Sequence, residues 1–147
     1  MYKKVLRFYL WATLGLCTEI FFTAFTDLFN AISAHRAPDW SLTGHTYVWM
    51  IFIYGAGSVI FPFGHHHLKG FHLLLRIFIV AIGIFVIEFT SGFILDKILG
   101  RCPWEYSGPF SILGYIRLDY LPAWMIFAYM IERADEVFDK MAGTFED

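Results

Sequence analysis

The stretch I-F-I-V-A-I-G-I-F-V-I-E-F-T-S-G-F-I-L-D-K-I-L, Ile77 to Leu99, decides the fold. From Ile77 to Ile87 it carries no charge. An apolar run of this length can cross a bilayer as a helix. Glu88 then stands among residues that are otherwise apolar or small. A carboxylate in that setting is expensive and marks a functional site by default.

Composition agrees. Of the 147 residues, 58% are hydrophobic, 20% aromatic and 16% charged, whereas a soluble domain carries about 25% charged residues. Seventeen Phe and five Trp suit a lipid-facing surface with aromatic belts. The formal net charge of -2, with no basic stripe, gives no nucleic-acid signature. The length suffices for about four spans with short connections.

The expected architecture is all-α, a membrane bundle of four transmembrane helices in one domain over 1–135, followed by an acidic cytoplasmic tail at 136–147. The first span covers about Val5 to Ala31 and is polar on one side, with Cys17, Thr18, Glu19, Thr23, Thr26 and Asp27. Basic residues precede it, as in a signal peptide. The apolar run is too long, however, and no small-residue cleavage site closes it, so an uncleaved span is expected. The second span, about Tyr47 to Phe63, carries the small residues of Y-G-A-G-S and ends at Pro62 and Gly64. The third runs from about Phe71 to Leu99 and the fourth from about Leu118 to Ile131. Between them, G-R-C-P-W-E-Y-S-G-P-F-S-I-L-G-Y reads as an interfacial or re-entrant loop. Lys3, Lys4, Arg7, Lys69, Arg76, Arg133 and Lys140 fall on one side and Arg36, Lys97, Arg101 and Arg117 on the other, which favours cytoplasmic N- and C-termini.

The order acid, acid, proline–tryptophan loop, W-M-I-F-x-Y occurs twice. Glu19 precedes Asp27 as Glu88 precedes Asp96, Pro38 with Trp40 matches Pro103 with Trp104, and W-M-I-F-I-Y at Trp49 recurs as W-M-I-F-A-Y at Trp124. A duplicated two-helix hairpin, with halves at about 5–64 and 71–132, accounts for this, the copies being related by an axis along the membrane normal. Chance similarity among apolar segments is the competing account. If duplication holds, Glu19 and Glu88 lie at similar depth and titrate as a coupled pair.

Glu19 and Glu88 are therefore candidates for a polar ligand or proton path, with Thr23, Tyr54, Thr90, Trp104 and Tyr106 around them. The competing reading makes the acids helix glue, hydrogen-bonded to Thr or Tyr. Trp49, Trp124, Tyr129 and, as the alternative to a place on the path, Tyr54 read as packing residues, and Asp27, Asp96 and Asp119 as span-end charges. His65, His67 and His72 are weak metal candidates, because adjacent histidines cannot all converge on one ion; a solvated loop around His65–His67 is the expectation. Cys17 and Cys102 sit in different environments, which argues against a disulfide, and no role is assigned to either thiol. No G-x-x-x-x-G-K-[ST], H-E-x-x-H or G-x-S-x-G occurs, so no P-loop ATPase, zinc peptidase or serine hydrolase is encoded, and no enzyme and no cofactor are expected.

At E-F-T-S-G-F-I-L followed by C-P-W-E-Y-S the chain resembles the transmembrane protein 229 family, also filed as putative ABC-transporter type IV. The likeness extends to Cys17-Thr18-Glu19 and to Phe52-Ile53-Tyr54-Gly55, and covers about Phe8 to Glu132. It implies a small multi-pass membrane protein without an established activity; an ATPase serving it would be a separate chain. The histidine run replaces what is more often an Arg-rich loop in that family. Two readings follow: a small transporter or channel-like protein, plausibly a homodimer since four spans are few for a pore, or a non-catalytic scaffold or accessory subunit. In both, the lipid bilayer is the principal partner.

Overall fold

A computed structural model describes residues 2–37 and 40–144, so Pro38 of the first proline–tryptophan loop and the last three residues of the acidic tail lie outside the described residues. Four α-helices follow one another: α1 (Tyr2–Ser33), α2 (Met50–Leu68), α3 (Leu73–Leu99) and α4 (Leu121–Gly143). A pair of two-residue strands, β1 (Ser111–Ile112) and β2 (Ile116–Arg117), departs from the all-α expectation. The chain divides into two compact units, Met1–Ile60 with Met141–Asp147, and Phe61–Lys140.

Among the described residues, α1 and α3 are long and apolar enough to cross a membrane. Their 32 and 27 residues correspond to about 48 and 40 Å of helix, against a hydrocarbon core of about 30 Å. Neither α2, which ends in three histidines, nor α4, whose second half is charged, meets that measure by itself. Large side chains stay uncovered: Phe52, Val59, Phe63 and Ile98 are 68–73% exposed. Such a surface is a liability in water and ordinary in lipid.

In the first unit, α1 meets α2 through small residues. Gly15 lies under the Tyr54 ring, Gly55 under Phe8, and a Cβ at Gly57 would stand 2.9 Å from Trp11. The absent side chains let the helices approach, which is how apolar helices associate where lipid gives no hydrophobic advantage.

The second unit corrects the expected end of α2. Pro62 and Gly64 lie inside the helix, which continues to Leu68, so His65, His66 and His67 form its last turn rather than a solvated loop. Proline costs one backbone hydrogen bond, and side-chain pairs one turn apart continue past it. Phe61 stacks on His65 with ring centroids 5.5 Å apart, Phe63 lies 4.8 Å from His67, and His67 Nδ1 meets the Phe63 carbonyl at 2.7 Å. His72 Nδ1 accepts the Leu74 amide at 3.3 Å and starts α3. Gly100, at φ 73°, stops it with an N–H to the Asp96 carbonyl at 2.9 Å, in a left-handed conformation that only glycine adopts freely. Helices α3 and α4 are antiparallel: Arg76 near the start of α3 pairs with Glu132 well along α4, while Glu88 further along α3 meets Trp124 near the start of α4. A short 3-10 turn, Leu118–Tyr120, leads into α4, and the acidic tail stays helical to Gly143.

Candidate functional site

In the second unit the chain after α3 turns back onto the helix it has just left. Gly92 stands one turn beyond Glu88, and a Cβ there would meet Trp104 and Tyr115 at 3.3 Å. The small residue lets the loop sit tightly on α3. Trp104 Nε1 donates to the Tyr115 carbonyl at 3.1 Å, and the Tyr106 amide donates to the Gly114 carbonyl at 2.9 Å. Ser111 Oγ donates to the Tyr106 carbonyl at 2.9 Å, and the Tyr120 ring meets Tyr106 edge-on at 5.6 Å. Held this way, the Tyr106 hydroxyl donates to Glu88 Oε1 at 2.7 Å. The other oxygen, Oε2, is buried without a well-formed hydrogen bond. The indole of Trp124 acts on the same carboxylate, yet its N–H is also without a well-formed bond. Tyr106 is thus the donor whose geometry makes a hydrogen bond to Glu88.

Further out, the Tyr115 hydroxyl donates to Asp96 at 3.0 Å, and this bond to a carboxylate pushes the phenol above its ordinary pKa. Arg117 grips Asp119 with Nε and Nη2 at 2.9 and 2.6 Å and covers the Tyr120 ring at 4.7 Å.

The first unit treats Glu19 in a comparable way. Thr46 Oγ1, in the segment that follows α1, donates to Glu19 Oε2 at 2.6 Å, and the Tyr54 hydroxyl on α2 donates to the same oxygen at 3.2 Å. Gly44 lies against the Ile20 carbonyl, where any side chain would collide. Thr23 Oγ1 accepts the His45 amide at 3.0 Å and pins the segment to α1.

Of the residues expected around the acids, Tyr54 and Tyr106 reach them directly. Thr23 instead holds the segment that carries Thr46, and Trp104 braces the loop that carries Tyr106. Thr90 is exposed on α3 and makes no bond to Glu88. Thr46 and Trp124 were not expected at the acids. Trp124 reads as packing in the sequence, although its indole N–H is the kind of donor a buried carboxylate selects.

A second charged cluster has no counterpart in the sequence reading. Arg76 on α3 holds Glu132 on α4 through Nε at 2.5 Å and Nη2 at 2.9 Å, and Glu132 is only 3% exposed. His65 Nδ1 on α2 stands 3.5 Å from the same carboxylate. The three expected metal candidates are engaged separately: His65 faces Glu132, His67 the Phe63 carbonyl and His72 the Leu74 amide. Among the described residues no group of three or more His, Cys, Asp or Glu is placed to hold a metal. Cys17 and Cys102 are both free, and burial pushes the Cys102 thiol above its ordinary pKa.

Two helices of bilayer length, apolar side chains left uncovered along them and a carboxylate within each describe a helical protein suited to a membrane. The family model of the putative ABC-transporter type IV family matches residues 6–142, and the chain belongs to that family. No solved structure matches it. The membership and the two apolar helices are compatible with a membrane protein related to transport.

Proposed function

We propose that the chain is a small multi-pass transporter or channel-like protein in which Glu19 and Glu88 each line a path for a proton or polar ligand. One observation carries this reading. In each unit an acid on a helix of bilayer length accepts a hydroxyl hydrogen bond from the chain segment that follows that helix, Thr46 for Glu19 and Tyr106 for Glu88. A carboxylate facing a phenol, with its second oxygen buried and open, is a place where a proton or cation can be taken up without rebuilding the backbone.

Four crossings are part of the proposal. Helix α2 shares the small-residue contacts of α1, and α4 runs beside α3 from Glu132 back to Trp124. The repeated order of acids and W-M-I-F-x-Y supports a duplicated hairpin, and the E-F-T-S-G-F-I-L and C-P-W-E-Y-S stretches support the finer likeness to the transmembrane protein 229 family. Family membership supports association with a separate transport ATPase, and the few spans favour a homodimer. Both termini are placed in the cytoplasm from the basic-residue bias. We read the chain as non-enzymatic.

A second reading has its own support. Glu19 Oε2 already accepts two hydroxyls, from Thr46 and Tyr54, as expected of an acid that fastens helices in an accessory subunit. Proteoliposomes holding the purified chain and a trapped pH-sensitive dye separate the two under an imposed potassium diffusion potential. Proton flux that falls about tenfold or more in Glu88→Gln, an ordinary loss for a required proton-transfer group, supports the path. Flux absent from the wild-type chain, or unchanged in both Glu→Gln variants, removes the proton path and leaves the accessory reading.

A further inference from the structure

One face of the α3–α4 pair carries a groove lined by neither acid. Leu73 and Ile77 from α3, with Pro122, Met125, Ile126 and Tyr129 from α4, line a shallow, broadly open hollow of about 480 Å³. Its lining is apolar, and the volume falls within the range of roughly 300–1,000 Å³ typical of ligand sites. Along α4, Leu121 to Ile131 bears no charge and E-R-A-D-E follows at once. On α4 the lining thus ends where the helix passes from apolar to charged. At that end Arg133 covers the ring of Tyr129, a lining residue, with its guanidinium 5.3 Å from the centroid. One turn further out, Glu136 stands 3.6 Å from Arg133, and the two side chains are 57% and 58% exposed.

We infer that this groove binds one phospholipid with an ethanolamine headgroup, an acyl chain lying along Ile77, Met125 and Ile126, the phosphate on Arg133 and the ammonium toward Glu136. The order of charges carries the choice of headgroup. Moving out from the apolar lining, the protein offers plus and then minus; the lipid offers phosphate and then ammonium. An anionic headgroup would satisfy Arg133 and leave Glu136 facing negative charge. Opening the Arg133–Glu136 contact costs little, because an exposed ion pair contributes little. Tyr129 sits at the junction, the depth at which tyrosine is enriched in membranes.

The test is native mass spectrometry of the full chain in detergent, titrated with phosphatidylethanolamine or with phosphatidylglycerol of the same acyl composition. One phosphatidylethanolamine should stay bound per chain, about tenfold more tightly than phosphatidylglycerol. Arg133→Gln should weaken it by about tenfold, the effect of losing one charge-assisted hydrogen bond. Ile126→Trp, at a residue 66% exposed, fills the groove and should abolish retention, while Phe52→Trp outside it should change nothing. Glu136→Gln should keep a bound lipid and lose the preference for ethanolamine. Equal or tighter retention of phosphatidylglycerol by the wild-type chain overturns the inference. So does retention indifferent to both Arg133→Gln and Ile126→Trp, which marks ordinary boundary lipid. The inference rests on the proposed crossing of α4; neither outcome touches Glu88, so this site and the carboxylate path fail separately.

Discussion

Glu88 is held by one good hydrogen bond, and that makes its partner testable. Tyr106→Phe leaves the ring and its contact with Tyr120 but deletes the donor, so neither carboxylate oxygen keeps a well-formed bond. A buried polar group stripped of its partner costs about 1–3 kcal/mol. Thermal unfolding in detergent should show that loss for Tyr106→Phe and a smaller one for Trp124→Phe, whose indole N–H makes no well-formed bond. An unchanged midpoint for Tyr106→Phe would mean the phenol is merely near the acid. Cys102, in the same loop, gives a second readout. Burial raises its pKa, so at any given pH it holds less thiolate than an ordinary cysteine, whose pKa is about 8.5. In a Cys17→Ser background, alkylation of Cys102 should therefore lag a model thiol at pH 8, with its pH–rate midpoint displaced upward. A midpoint at or below the model thiol's would show that the thiol is not shielded as described.

At the scale of elements, the pairing of Arg76 with Glu132 joins α3 to α4 more firmly than any contact the apolar pattern foretells. Removing one member of a fully buried pair costs about 3–5 kcal/mol, and replacing both by apolar residues of similar size can be neutral; here Glu132 is buried while Arg76 is 20% exposed, so the loss falls below that range. Glu132→Gln alone should destabilise the chain, and the double variant Arg76→Met, Glu132→Met should recover most of that loss. If the single and double variants unfold alike in such a cycle, the two helices are not coupled through this pair. The sequence could not announce it, because 56 positions separate the partners and each charge taken alone reads as a topology signal. The long elements were legible for the opposite reason: α1 and α3 follow from local runs without charge. The end of α2 is not legible, because Pro62 and Gly64 are breakers by local pattern. The pairs of Phe61 with His65 and Phe63 with His67 accompany the helix past both residues. At the acids, Glu88 and Tyr106 stood out as rare residue types in apolar or irregular stretches. Thr46 and Trp124 did not, since nothing local marks a threonine or tryptophan as the one that reaches a distant carboxylate.

For the whole molecule the open quantity is the number of crossings, and it has a sharp consequence. Among the described residues, α1 and α3 alone qualify on length and hydropathy. If they alone cross, α2 stays on the far side with the segment that follows α1, and the turn between α2 and α3 lies opposite the N-terminus. If all four cross, that same turn returns to the side of the N-terminus. The proposed four crossings draw on the antiparallel course of α4 beside α3, from Glu132 to Trp124, and on the packing that α2 shares with α1. Four crossings are therefore expected. A cysteine at Gly70 reports the difference, since nothing lies within 4 Å of a Cβ placed there. In a Cys17→Ser, Cys102→Ser background, Gly70→Cys should react with an impermeant maleimide from the same side as an N-terminal tag. Thr43→Cys, in the segment after α1, should react from the opposite side under either topology and so calibrates the assay. Labelling of Gly70→Cys and Thr43→Cys from one common side would reduce the molecule to two crossings. It would also move α4, with Trp124 and its contact to Glu88, out of the bilayer, leaving the carboxylate path without one of its walls.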